Sequence, residues 1–98
     1  MDKLDYLQEI IKKYYELDCN LDDNSRLAYI AEARRHFVVI AFDLYNVKFG
    51  KLAKYLNRHY STIHYLYQSA QMFPSFDVFH SENVEILNLI NREVQSDV

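Results

Sequence analysis

Residues 49–68 read FGKLAKYLNRHYSTIHYLYQ and decide the fold prediction, because apolar residues at helical spacing coincide there with a turn residue and clustered positive charge. Ala53 is small enough for two helices to cross, Asn57 tolerates the positive φ of a tight turn, and Ile63 is a β-branched core anchor. Three leucines supply the other inward contacts, Leu52, Leu56 and Leu66. The pattern predicts a helix-turn-helix.

The outward face of the second predicted helix is polar and aromatic. Such side chains are long enough to reach base edges in a major groove, although aromatic residues on helices belong more often to a core or an interface. We interpret Tyr67 as core. The residues that we predict to lie near bases or sugars are His59, Tyr60, Ser61, Thr62, His64 and Tyr65.

Positive charge is concentrated around this motif, although the whole chain has a formal net charge of −3. Residues 34–64 contain six basic residues and one acidic residue, Asp43. Charges beyond about 8 Å are largely screened at physiological salt, so an acidic total is weak evidence against DNA binding. Arg34 and Arg35 either contact DNA or pair with Glu32 or an acidic loop. The predicted phosphate contacts are Lys48, Lys51, Lys54 and Arg58, although the three lysines could instead form a solvated helix face.

The length and the amino-acid composition favour one helical domain spanning residues 1–98. One Gly and one Pro leave little turn chemistry for an all-β domain, and half the residues are hydrophobic. The lone Cys19, the absence of a signal-like start and the lack of an apolar run near 20 residues predict a cytoplasmic protein without membrane contact. No phosphate loop, nucleophile elbow or carboxylate pair points to an enzyme, and we expect no cofactor. No metal site is predicted, because metal-ligand spacing is missing around the four histidines, His36, His59, His64 and His80.

An amphipathic helix is predicted over residues 2–16, with Gln8 off its apolar stripe. Asn24 or Ser25 is the expected N-cap of a second helix over residues 26–45. That helix is apolar on every side from 37 to 42, so we expect it to be central, and Asn46 to end it. The apolar stripe of the helix predicted over residues 2–16 consists of Leu4, Leu7, Ile10, Ile11 and Tyr14.

Two further boundaries complete a prediction of five helices. Pro74 is expected to stop the second motif helix near Phe73. Residues 75–80 then form a connector whose phenylalanines fill the core. Ser81 caps a last helix that ends near Val94. The acidic residues of its first turn are Glu82 and Glu85. Its inward stripe consists of Leu87, Ile90 and Val94.

The order of these features resembles the C-terminal DNA-binding domain of the bacterial replication initiator DnaA. The stretch RHYSTIHYL resembles the family signature R-D-H-T-T-V-L-H-A: Arg58 matches its Arg, Tyr60 its His, Ser61 and Thr62 its two Thr, and Ile63 its Val. The resemblance covers nearly the whole chain. It implies an all-helical fold of the Trp-repressor type and sequence-specific binding of short duplex sites.

Two departures accompany the resemblance. The loop before the family's central helix is basic, whereas DNSRLAYIAEA contains only Arg26, and Ala33 stands where we place the family's minor-groove Arg. The 98 residues also leave no room for the family's ATPase module. The first hypothesis is therefore a stand-alone DNA-binding domain, a regulator or accessory replication factor with weaker or altered specificity. The second is a helical protein-interaction module, encoded by a virus or mobile element, that uses its tyrosine-rich surface.

Overall fold

The computed structural model describes residues 2–23, 27–72 and 76–96; for residues 76, 77 and 93–96 it describes the backbone alone. The described residues are organised as five α-helices, and no strand occurs among them. The predicted all-α class is confirmed. The helices are α1 Lys3–Tyr15, α2 Ala28–Asp43, α3 Phe49–Leu56, α4 Tyr60–Ser69 and α5 Phe76–Ser96.

Local chemistry sets both ends of α1. The Asp2 side chain caps the helix by accepting a hydrogen bond of 2.8 Å from the Leu4 N–H. At the other end Glu16 adopts the left-handed conformation, with φ 55°, and its N–H bonds back to the last turn. The predicted stripe is confirmed, since Leu4, Leu7, Ile10 and Ile11 are buried and Tyr14 packs at the edge of the core.

The position predicted for Gln8, off the apolar stripe, is wrong. Its side chain is buried, donates to the Tyr55 hydroxyl at 3.1 Å and accepts from the Leu21 N–H at 2.8 Å. The amide can be buried because both its ends are hydrogen-bonded. It joins α1 to α3 and to the loop after α1.

The central position predicted for α2 is confirmed, because it packs against α1, α3 and α4. Its residues 37–41 are buried, whereas Phe42 is 37% exposed. The predicted boundaries need correction. The helix begins at Ala28 with Leu27 as an N-cap that makes no side-chain hydrogen bond, so an N-cap at residue 24 or 25 is wrong; those two residues and Arg26 lie outside the described ranges. It ends at Asp43, and Asn46, with φ 57°, belongs to the connection that follows.

The boundary between α4 and α5 also differs from the prediction. The helix α4 ends at Ser69. Two hydrogen bonds of the 3₁₀ type follow it, from the Gln71 N–H to the Gln68 carbonyl and from the Met72 N–H to the Ser69 carbonyl. The helix therefore ends before Pro74, which lies outside the described residues together with Phe73 and Ser75.

Residues 76–80 are helical, so the connector and the Ser81 N-cap are wrong. Ser81 is exposed inside α5, where a single serine weakens a helix too little to end it. Phe79 is buried at helical spacing with Ile86 and Ile90, so one stripe continues through Ser81. The core position predicted for the connector's phenylalanines is confirmed for Phe79; the side chains of Phe76 and Val94 are not described.

One main core joins all five helices and places α3 and α4 on one side of α2. Val39, Ala70 and Phe79 form a smaller cluster where α5 meets the end of α4. In the part of the chain that the structure describes, no helix is long and apolar enough to cross a membrane.

Candidate nucleic-acid interface

A three-residue turn connects α3 to α4. Asn57 has φ 53°, and its N–H and that of Arg58 bond back to carbonyls of α3, in the manner of a helix C-cap. Ala53 and Ile63 are buried where the two helices pack. The positive φ predicted for Asn57 and the inward positions of Ala53 and Ile63 are confirmed. The three leucines predicted to face inward, Leu52, Leu56 and Leu66, are also buried.

The outward face of α4 is open to solvent. His59 caps the helix: its Nδ1 accepts from the Ser61 N–H at 3.2 Å and lies 2.9 Å from the Ser61 hydroxyl. Tyr60 is 54% exposed and Tyr65 is 64% exposed, so neither is a core residue. Tyr67 is half-buried against the core, and its hydroxyl donates to Asp43 at 2.8 Å. The exposed side chains of this face are His59, Tyr60, Ser61, Thr62, His64, Tyr65 and Gln68.

Three lysines of this region are exposed, Lys48 just before α3 and Lys51 and Lys54 within it. Of these, Lys48 and Lys51 line a groove together with Tyr60 and His64 of α4. The sequence has no Asp or Glu from residue 44 to residue 76. Among the described residues, none of the three lysines has an ion-pair partner. Asp2 lines a depression together with Lys48 and Lys51 but forms no ion pair with them in the described structure, so the lysine charge is available to an anionic ligand.

Arg58 faces the loop after α1 rather than open solvent. Its guanidinium donates to the carbonyls of Asp23 at 2.5 Å and Asp22 at 3.4 Å, and to carbonyls of the turn itself. Arg34, only 7% exposed, donates to the Leu21 carbonyl at 2.7 Å and also to the Asp23 carbonyl. Burial, with the nearby charge of Arg58, lowers the pKa of Arg34. The two arginines hold the loop against the α3–α4 turn.

Arg35 pairs with Glu32 one turn away and donates to the Ser69 hydroxyl at 2.9 Å. One of the two alternatives left open for Arg35, pairing with Glu32, is therefore what the structure shows. Arg34 and Arg35 do not lie with the exposed lysines. Ala33, the position at which we placed the family's groove-reading Arg, is fully buried, and a side chain at a core position cannot contact DNA.

Sequence reasoning missed a groove between α2, α3 and α4, which we name the aromatic groove. Its volume is about 600 Å³. Phe42 is the last residue of an apolar run, which predicts that its ring is buried. The structure shows instead that the ring borders solvent in this groove. The aromatic groove is lined by Phe42, Lys48, Phe49, Gly50, Lys51, Tyr60 and His64.

A second polar cluster fixes α5. The Tyr14 hydroxyl donates to Glu85, and burial, together with this hydrogen bond, raises the Tyr14 pKa to about 12. Tyr15 donates to Glu82 at 3.1 Å, and burial raises its pKa also. These two acids thus lie inside α5 and act as acceptors rather than first-turn residues.

His36 lies fully buried beside this cluster and stacks on Phe79, with ring centroids 4.0 Å apart. Its Nδ1 lies 3.1 Å from Asn83 Oδ1, while Nε2 has no hydrogen-bond partner in the described structure. Burial lowers the His36 pKa. The histidine therefore contributes to the packing of α5 in its neutral form.

The described ranges contain no group of three or more His, Cys, Asp or Glu side chains arranged to hold a metal ion. Cys19 is half-buried and not disulfide-bonded. Comparison of the chain with models of known protein families, with curated proteins and with solved structures found no match.

Proposed function

We propose that this chain is a duplex-DNA-binding domain resembling the C-terminal domain of DnaA, acting as a regulator or accessory replication factor. One observation carries the proposal: the α3–α4 pair presents an exposed polar face and three exposed lysines that have no ion-pair partner among the described residues, in a stretch of sequence without carboxylates. Proteins that position a helix on duplex DNA use such cationic side chains on phosphates and such polar side chains on base edges.

The phosphate contacts come from Lys48, Lys51 and Lys54. Arg58 has a supporting role, because its guanidinium is bound to loop carbonyls and orients the turn that precedes α4. Arg34 is buried and is not part of the proposed interface. Among the described residues, Arg34, Arg35 and Arg58 are engaged with groups of the protein itself, so bidentate recognition of guanine is limited and we expect modest sequence specificity.

The base and sugar contacts come from the first turns of α4. Ser61 and Thr62 offer hydroxyls that bind either kind of base pair, and Tyr60 and Tyr65 offer hydroxyls on rings that extend away from the core. His59 and His64 complete this face. Its residues begin the helix, which is the part of a recognition helix that usually contacts base edges.

A protein-interaction module is the second candidate, and one observation favours it. Large apolar side chains are exposed away from α3 and α4, including Val78 at 64%. Exposed apolar surface marks protein interfaces when it is contiguous. Association through such a surface would survive high salt, whereas phosphate contacts would not.

Selection from a pool of random duplexes tests the first candidate, because it reports both binding and any preferred site. We expect enrichment of a short site and weaker binding by Lys51→Ala. The matched control is Lys13→Ala, which removes an exposed lysine of α1, and we expect it to bind as the wild type does. Failure to enrich any duplex, or equally weakened binding by both variants, would contradict the proposal.

A further inference from the structure

We propose that the aromatic groove binds single-stranded DNA, with an unpaired base stacked on its rings and neighbouring phosphates on Lys48 and Lys51. This site goes beyond the proposed duplex binding, because bases in a duplex are already stacked on one another and cannot enter a groove between aromatic side chains. It shares Tyr60 and His64 with the exposed face of α4 and uses none of the other residues of that face.

The rings of the groove form a connected cluster around Phe49. Its centroid lies 4.6 Å from that of Phe42, 5.6 Å from that of His64 and 6.2 Å from that of Tyr60. Tyr60 and His64 are one helical turn apart and tilted by 31° to each other. Both are exposed, so their outer ring faces are not covered by the described chain. Exposed aromatic rings of this kind are the stacking platforms of single-strand-binding proteins.

Gly50 leaves the space beside these rings open. A Cβ built on Gly50 would have no atom within 4 Å apart from its immediate neighbours in the helix. The groove volume of about 600 Å³ therefore extends over α3 without a side chain from this position. A planar base can approach the helix backbone there.

The charge around the groove identifies the ligand as an anion that also has flat rings. Lys48 and Lys51 line it, and no described carboxylate does. Nearby, Asp43 accepts a hydrogen bond from Tyr67, and Asp2 lines a separate depression together with the same two lysines. Phosphates match the lysines, and bases match the rings. We commit to DNA rather than RNA, because the phenylalanines Phe42 and Phe49 offer an apolar surface to the thymine methyl group.

The test uses a fluorescently labelled oligothymidylate of about 15 nucleotides and measures anisotropy at low and high salt. We expect salt-sensitive binding that Tyr60→Ala weakens at least about fivefold, the effect expected for removing one base–aromatic stack. Gly50→Leu should weaken it similarly by filling the groove, and because the described chain leaves open space beside that position, the variant should remain folded. The control is Tyr29→Ala, which removes a ring that is 49% exposed on α2, outside the groove.

Several outcomes overturn this inference. They are an absence of binding at about 50 mM salt, normal binding by Gly50→Leu, equally weakened binding by Tyr60→Ala and Tyr29→Ala, and tighter binding of oligouridylate than of oligothymidylate. A duplex titrated in parallel separates the two proposals. Duplex binding without single-strand binding contradicts the groove alone, and single-strand binding without duplex binding contradicts the proposed function alone.

Discussion

Acid should destabilise this protein through His36 before its carboxylates begin to protonate. The ring is fully buried. With Nδ1–H donating to Asn83, the Nε2 lone pair has no hydrogen-bond partner among the described residues. Protonation would place a charge there, against the Phe79 ring and the more distant Tyr15 ring. The nearby charges of Glu32 and Arg35 act in opposite directions on the His36 pKa, and burial dominates.

The sign of the effect follows from the lowered pKa. As pH falls below the ordinary histidine value of 6.5, the unfolded chain takes up a proton that the folded chain does not. The free energy of unfolding therefore falls, by up to about 1.4 kcal/mol per pH unit, until the folded pKa is reached. For a chain of this length, 1 kcal/mol corresponds to roughly 4–8 °C in melting temperature.

Melting followed by circular dichroism between about pH 7.5 and pH 5.5 measures this effect, since exposed carboxylates stay ionised over that range. We expect the wild type to lose stability across the range, and His36→Gln, which does not titrate, to show a flatter profile at a lower overall stability. His64→Gln is the matched control, because it removes an exposed histidine and should leave the profile unchanged. A flat wild-type profile, or equal slopes in wild type and His36→Gln, would refute the reasoning.

Three further substitutions test the structure through urea unfolding. Gln8→Leu leaves the Leu21 N–H without its acceptor and should cost about 1–3 kcal/mol; unchanged stability would mean that the buried amide is dispensable. Arg58→Ala should cost about 0.5–1.5 kcal/mol because it removes the exposed hydrogen bonds to the loop carbonyls of Asp22 and Asp23, the second of which keeps its bond from Arg34, and an unchanged midpoint would contradict that role. Gly50→Ala should stabilise α3 by up to about 1 kcal/mol, and destabilisation would show that the position is crowded.

The α3–α4 pair could be predicted from sequence because its determinants are local. Asn57 adopts the positive φ that its side chain tolerates, and Ala53 and Ile63 are buried at helical spacing. The boundary of α5 could not be predicted in the same way. Ser81 followed by acidic residues has the composition of a helix start, but the burial of Phe79 extends the helix across it. Tertiary packing decided between two locally acceptable starts.

The candidate interface was only partly predictable for a related reason. Lys48, Lys51 and Lys54 are exposed as their helical positions indicate, but the sequence does not distinguish a surface arginine from one that binds carbonyls. Arg34 and Arg58 meet the loop at residues 21–23, a contact between segments far apart in the sequence. The buried positions of Gln8 and His36 could not be predicted for the same reason, because each side chain is hydrogen-bonded to a residue that only the fold brings close.

The salt dependence of duplex binding tests the proposed function most directly. A titration of the full chain with a duplex at several salt concentrations should give a steep negative slope of log affinity against log salt. Replacing Lys48, Lys51 and Lys54 together by alanine should reduce the magnitude of that slope by about 2.7, at about 0.9 for each phosphate that is no longer neutralised. No binding at about 50 mM salt, or a slope that the triple variant leaves unchanged, would contradict the proposal.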